Sequence, residues 1–194
     1  EADLTEKLKL SICQYLKGYI DYYVPRYYWN TQDRYRGAIT NKCDYYLVIH
    51  MDSGSSGASG VHALYNDKGK DFANDLVYYI CRYMGFQNRG AKHFKQNPRS
   101  IAAFDIAKIP FVLLECGFIS NSSDLQKHLQ EREYIAQAIV SVIGKYSNIE
   151  NIKMKVGDTL ASKNNNTIRL ITAPQILNNR TMLGLRDIAN LFGC

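Results

Sequence analysis

The sequence predicts an α/β fold: a mainly parallel β-sheet flanked by helices, followed by a small β-rich or α+β piece. Three observations carry this expectation. Two continuous apolar runs, residues 45–49 and 110–114, read as strands buried on both faces. Amphipathic segments with a helical period lie before, between and after them. Composition then shifts near residues 147–151, beyond which only short strand-like pieces and one helix candidate remain. Strands alternating with helices favour a sheet covered on its faces by helices.

The elements follow in order. Residues 2–19 place Leu4, Leu8, Ile12, Leu16 and Tyr19 at helical spacing, with Gly18 near the end. Residues 24–29 are β-rich, and Pro25 suits an edge or a strand start. Residues 33–42 read as a short polar helix that turns Tyr35 and Ile39 inward. The first apolar strand then ends at His50. Residues 54–60, Gly-Ser-Ser-Gly-Ala-Ser-Gly, lack the Lys-Ser/Thr ending of a phosphate-binding loop, so a flexible loop at the rim of a site is expected. Residues 61–65 alternate as a short strand. Residues 71–84 are amphipathic through Phe72, Leu76, Ile80 and Met84, with Gly85 as C-cap.

The second apolar strand ends at Glu115. A turn-rich stretch, 117–123, leads into one long helix. Ser123 and Gln126 fit a capping box for it, and Leu125, Leu129, Ile135, Ile139, Val142 and Tyr146 form an inner stripe. In the tail, residues 152–156 and 168–171 flank an Asn-rich turn at 164–166, and 184–192 is a final helix candidate.

Composition excludes some classes of function. The 194 residues carry 24 Lys and Arg against 18 acids, a net charge of +6, which favours anionic surroundings without a basic stripe for nucleic acid. No stretch approaches the roughly 20 apolar residues of a membrane span. Five cysteines are scattered without C-x-x-C spacing, so they are expected as small buried hydrophobes. The paired tyrosines Tyr22-Tyr23, Tyr27-Tyr28 and Tyr45-Tyr46 sit in apolar runs and read as packing residues rather than a base-stacking platform.

Ligands of parallel sheets bind beyond the carboxyl ends of the strands, where His50 and Glu115 stand. An imidazole can ligate zinc, and a carboxylate beside a metal-activated water can act as general base. Each residue also has an ordinary reading: a hydrogen-bonded structural histidine, and a cap or ion-pair glutamate. Residue chemistry alone leaves both readings open.

The flanking residues narrow the choice. Cys43-Asp44-Tyr45-Tyr46-Leu47-Val48-Ile49-His50-Met51-Asp52 resembles the strand of type 3 N-acetylmuramoyl-L-alanine amidases that ends in a Ser-Ile-His-x-Asn-like motif. Pro110-Phe111-Val112-Leu113-Leu114-Glu115-Cys116-Gly117-Phe118-Ile119-Ser120-Asn121 resembles the same family's Pro-x-Val-Leu-x-Glu-x-Gly-Phe-x-Ser-Asn stretch. Ser59-Gly60-Val61 looks like its Ser-Gly-x-Glu-x-x-Tyr piece, with His62 in place of the usual Glu. Asn88-Arg89-Gly90-Ala91-Lys92 is similar to its Asn-Arg-Gly-Val-Lys turn, and Arg36 followed by Asn41 fits its Arg-x-x-x-x-Asn helix.

The resemblance implies a zinc-dependent amidase cleaving the bond between N-acetylmuramic acid and L-alanine of peptidoglycan. It implies Zn2+ held by Glu1, in the Glu1-Ala2-Asp3-Leu4 start of the first helix, and by His50. The third ligand of the family, a His in an early loop, and the strand before it have no counterpart here, so a clipped N-terminus is expected. Glu115 would be the catalytic general base. Asn121 and Arg89 are candidate substrate contacts, Asp52 a candidate support for His50, and His62, His93 and His128 are expected at the surface or rim. An extracellular or cell-wall location follows from the same resemblance. The alternative is a catalytically inactive module that binds the wall or its anionic polymers.

Residues 155–158, 172–176 and 180–189 resemble the copper amine oxidase N-terminal-like domain, with Gly184 where that pattern has Pro. The expected organisation is a catalytic domain over 1–147, a linker over 148–153, and part of an accessory domain over 154–194.

Overall fold

A computed structural model describes residues 1–26, 30–55, 57–97, 102–147, 152–163, 166–177 and 180–182. The chain divides into two compact units, Glu1–Ser147 and Asn148–Cys194.

In the first unit, α1 (Ala2–Leu16) and α2 (Thr31–Thr40) precede β1 (Tyr46–Asp52) and β2 (Val61–Tyr65). Helix α3 (Lys70–Met84) follows, then β3 (Asn88–His93), the short α4 (Ala102–Asp105) and β4 (Phe111–Phe118). Helices α5 (Ser122–Gln130) and α6 (Arg132–Tyr146) close the unit. The four strands form one sheet in the order β1-β4-β2-β3. Pairings β1–β4 and β2–β3 are parallel, whereas β2 runs antiparallel to β4. The sheet is therefore mixed and mainly parallel.

Alternation along the strands builds two cores. Val112, Leu114 and Cys116 of β4 face a cluster with Leu8, Ile12, Leu76, Ile80, Ile135 and Ile139 from α1, α3 and α6. Phe111 and Leu113 face the other way, toward Tyr35 and Ala38 of α2 and Ala103 and Phe104 of α4. Tyr46 packs its ring on Phe111 at 4.8 Å, and Tyr45 lies 5.1 Å from Phe72, so this tyrosine pair packs the cores on both faces. Strand β4 has neighbours on both sides and is fully buried through Phe111, Val112 and Leu114. Strand β1 is an edge strand of this sheet, and Leu47, Val48 and Ile49 are only partly buried.

Several elements differ from the sequence expectation. Helix α1 stops at Leu16 because Gly18 turns the chain at φ +84°, which leaves Tyr19 exposed. Residues 24–26 form no strand, and Tyr27, Tyr28 and Trp29 lie outside the described residues. Ile39 points outward while Tyr35 and Ala38 are buried. The expected turn at residues 88–92 is strand β3, bent by a bulge at Gly90.

The expected long helix is two helices separated at Glu131. Asn121 takes the cap expected of Ser123: its Oδ1 accepts from the backbone N–H groups of Ser123 and Asp124. This start turns Asp124 and His128 inward and leaves Leu129 exposed. His128 is thus a core residue and not a rim one. Helix α3 ends as expected, on Gly85 in the left-handed conformation. Cys81 and Cys116 are buried, and Cys13 and Cys43 are half-buried; all four are free thiols.

The second unit shows a three-stranded antiparallel sheet of β5 (Ile152–Met154), β6 (Leu160–Lys163) and β7 (Asn166–Arg169), and a hairpin of β8 (Gln175–Leu177) and β9 (Arg180–Met182). Ala161 and Leu170 centre its small core. Most of the expected linker, Asn164-Asn165 in the expected turn, and the helix expected over 184–192 lie outside the described residues.

Candidate functional site

Parallel register brings His50 of β1 beside Glu115 of β4. Both follow apolar residues that hold their strands in the core, so packing fixes where the two polar groups emerge. Glu1, at the start of α1, places Oε1 2.7 Å from Nδ1 of His50. Both side chains are exposed, so a carboxylate and an imidazole converge where a solute can reach them.

Glu115 is set deeper. Its Oε2 is buried and has no hydrogen-bond partner among the described residues. Burial, then the carboxylates of Asp52 and Glu1, push its carboxyl up to about 8. On the other side of β4, His62 of β2 pairs with Glu115 in antiparallel register. The Nε2 of His62 lies 3.6 Å from Asp52 Oδ2, and its Nδ1 is buried without a hydrogen-bond partner among the described residues. Burial lowers the pKa of His62; Asp52 acts against this, and Arg89 and Lys92 add to it.

A cleft of about 420 Å3 opens beside this centre. Asp52, His62, Asn88, Arg89, Lys92 and Gln96 are among its lining residues. Arg89 stacks over the Phe118 ring at 4.9 Å and donates to the Ser59 carbonyl at 3.5 Å. The structure therefore gathers Glu1, His50, Asp52 and Glu115, with His62 and Arg89 at their flank. Asn121 stands on the chain just after β4, its Oδ1 committed to capping α5. His93 lies away from this centre, with Nε2 2.8 Å from Asp67 Oδ1.

The loop expected to be flexible is tied at both ends. Ser120 Oγ accepts from the Gly54 amide at 3.1 Å. Asp124, only 2% exposed, accepts from Ser59 Oγ, the Gly60 amide and the Phe118 amide. Sequence reading missed Asp124 because a carboxylate in a first helical turn is ordinarily a surface residue. His62 was expected from the sequence as a substitution and as a surface or rim residue; its place opposite Glu115 required the strand pairing.

A carboxylate and an imidazole this close suit zinc, which takes both donor types. Among the described residues no third His, Cys, Asp or Glu completes a metal-holding group with them. The two donors fit part of a zinc site.

Two family models match the chain. Residues 1–145 match the family model of N-acetylmuramoyl-L-alanine amidases, and residues 135–194 match that of the copper amine oxidase N-terminal domain. The chain is 30% identical over 123 residues to the "Uncharacterized protein YqiI" of Bacillus subtilis, covering 59% of this chain and 57% of that one. It is 35% identical over 109 residues to the "Probable cell wall amidase LytH" of Staphylococcus epidermidis, covering 54% and 36%. The chain thus spans about half or less of the length of these relatives.

Among solved structures, the catalytic domain of the amidase CwlV from Bacillus (Paenibacillus) polymyxa superposes with a TM-score of 0.69 at 24% identity, covering 77% of this chain and 86% of that one. An N-acetylmuramoyl-L-alanine amidase from Clostridium difficile gives 0.66 at 24% identity, covering 75% and 83%. These likenesses establish the shared fold. With its family model matched from residue 1 to residue 145, the chain belongs to the N-acetylmuramoyl-L-alanine amidase family.

Proposed function

We propose that this chain is a peptidoglycan hydrolase that cleaves the amide between N-acetylmuramic acid and the L-alanine of the stem peptide. The observation that carries the reading is Glu115: a buried carboxylate oxygen without a hydrogen-bond partner among the described residues, beside the convergent pair Glu1 and His50. Family membership supports the same reaction class.

Glu1 Oε1 and His50 Nδ1 are the donors that would hold zinc, and any further protein donor must come from outside the described residues. When bound there, zinc supplies a Lewis acid for the scissile carbonyl and activation of water. Glu115 accepts the proton of the attacking water and returns it to the leaving amine nitrogen. Its buried position keeps the carboxylate poorly solvated and so more basic than an exposed one. Arg89 contacts the substrate from the cleft, and Asn121 holds the chain that follows Glu115. The enzyme acts at the cell wall, outside the cell. Residues 1–147 form the catalytic domain, 148–153 the linker, and 154–194 an accessory piece that associates with wall polymers.

The test is zinc uptake by equilibrium dialysis, paired with release of stem peptides from purified sacculi. Zinc uptake that falls in both Glu1→Gln and His50→Ala, with cleavage lost in Glu115→Gln, is the expected result. Sacculus binding without zinc uptake would favour the wall-binding module instead. Undiminished cleavage by Glu115→Gln would overturn the mechanism.

A further inference from the structure

We propose that the bulge in β3 builds a subsite for a free carboxylate of the stem peptide, separated from Glu115 by strand β2. The inference rests on the amidase reading and adds to it the chemistry of the peptide that the site selects.

The geometry starts with register. Val61 pairs with Asn88 and Ala63 with Ala91, so two steps along β2 match three along β3. The extra residue is accommodated at Gly90, whose φ of +76° is easy only for glycine, and Asn88 Oδ1 accepts from the Gly90 amide at 2.8 Å. In an unbroken strand, residues 89 and 92 would face opposite ways. The bulge cancels that alternation, and Arg89 and Lys92 both line the cleft with His62 and Leu64.

Charge gives the ligand its sign. Among the described residues neither Arg89 nor Lys92 forms an ion pair with an acid, and Lys92 has no hydrogen-bond partner. Asp52 is the acid in the lining, and its Oδ1 already accepts from the Ser53 amide at 2.8 Å. With His62 neutral, the cleft carries two cations and one anion. That balance leaves a net positive charge, which suits an anion, and the stem peptide offers one as a carboxylate.

Position gives the source. His62 pairs with Glu115 across β2 and β4, and β3 is the next strand. A stem peptide whose first amide sits at Glu115 would extend across β2 toward Arg89 and Lys92. A residue beyond the L-alanine then presents its carboxylate to them.

The test is a calorimetric titration of the full chain with three probes: a muramoyl dipeptide with a single free carboxylate, its carboxamide twin, and glycerol phosphate. The acid should bind about tenfold more tightly than the amide at low salt, the size expected of one charge-assisted contact. In Lys92→Gln, which removes charge from an exposed side chain without a packing role, that preference should fall to about threefold or less. The double variant Arg89→Gln/Lys92→Gln should bind acid and amide alike. Equal binding of acid and amide by the unaltered chain, binding of neither, or a preference kept by the double variant would overturn the subsite. Tighter binding of glycerol phosphate would reassign the cleft to wall polymers. Cleavage of sacculi is read separately: a preference for the acid without cleavage leaves the subsite standing and removes the amidase reading.

Discussion

His62 stands opposite Glu115 in the antiparallel register of β2 and β4, and each buries one polar atom, Nδ1 and Oε2, without a hydrogen-bond partner among the described residues. Folding ordinarily avoids such atoms, because each forfeits its hydration without compensation. Two of them on neighbouring strands, beside the Glu1–His50 pair, mark a centre arranged for something other than stability.

Glu115→Gln should therefore abolish cleavage and raise the stability of the metal-free chain. Its carboxyl is raised to about 8 from an ordinary value near 4.5, so the folded state holds a proton that the unfolded state has lost. Sign follows from that difference: the stability of the unaltered chain falls as pH rises between those two values. The gain from glutamine should be small at acid pH, grow through neutrality and level off above pH 8, reaching on the order of 1–3 kcal/mol. Urea melts of both chains at several pH values would show it, and equal stability at alkaline pH would refute it.

Asp124 should matter to stability more than its place in a helix's first turn suggests. It joins the loop at Ser59 and Gly60 to the end of β4 at Phe118 through three hydrogen bonds. Asp124→Ala leaves two buried amides unpaired and should cost about 2–4 kcal/mol. Asp124→Asn keeps the shape and should recover part of the loss. Thermal melts of both variants provide the measurement.

The extent to which these features were legible in the sequence depends on the interaction that fixes each one. Helix α3 and strands β1 and β4 are set by burial of regularly spaced apolar residues, and that spacing is written in the chain. His50 and Glu115 were legible for the same reason, as the polar residues that end two apolar runs. Strand direction is different: alternation in Val61–Tyr65 is the same whichever way β2 runs, so its antiparallel pairing with β4 was invisible. Asn88-Arg89-Gly90 carries turn chemistry, and the sequence cannot show that the turn is a bulge inside a strand. The break at Glu131 and the inward polar face of α5 depend on partners distant in sequence: Ser59, Gly60 and the Cys116 carbonyl. Glu1 became a candidate through the family resemblance and not through any pattern of its own.

His128 gives the fold a pH dependence of the opposite sign to that of Glu115. It is 2% exposed, its Nε2 lies 2.7 Å from the Cys116 carbonyl, and burial lowers its pKa below the ordinary histidine value. The ring is neutral in the folded chain, with the proton on Nε2 donated to that carbonyl. The unfolded chain takes up a proton below about pH 6.5, so stability is fully present above that pH and is lost as pH falls through it. The limiting slope from this one group is about 1.4 kcal/mol per pH unit. His128→Gln retains a side-chain donor but no longer titrates, and it should flatten the decline below about pH 6.5. An unchanged acid limb in denaturation curves would exclude His128 as its source.

Gly60→Ala tests whether the loop and the cleft form one unit. Gly60 has a φ of +104°, and a Cβ there would lie 2.3 Å from the Gln87 carbonyl oxygen. That oxygen accepts from the Val61 amide at 2.9 Å and sits one residue before β3, so it has little room to retreat. Alanine thus meets both an unfavourable backbone conformation and a fixed backbone atom, and should cost about 2–4 kcal/mol. The same shift would move Ser59, whose hydroxyl bonds Asp124 and whose carbonyl accepts from Arg89. Binding of a carboxylate-bearing muramoyl dipeptide should therefore weaken in Gly60→Ala at temperatures where the variant remains folded. Calorimetry well below its melting point separates that effect from unfolding, and unchanged affinity there would show that the loop does not position Arg89.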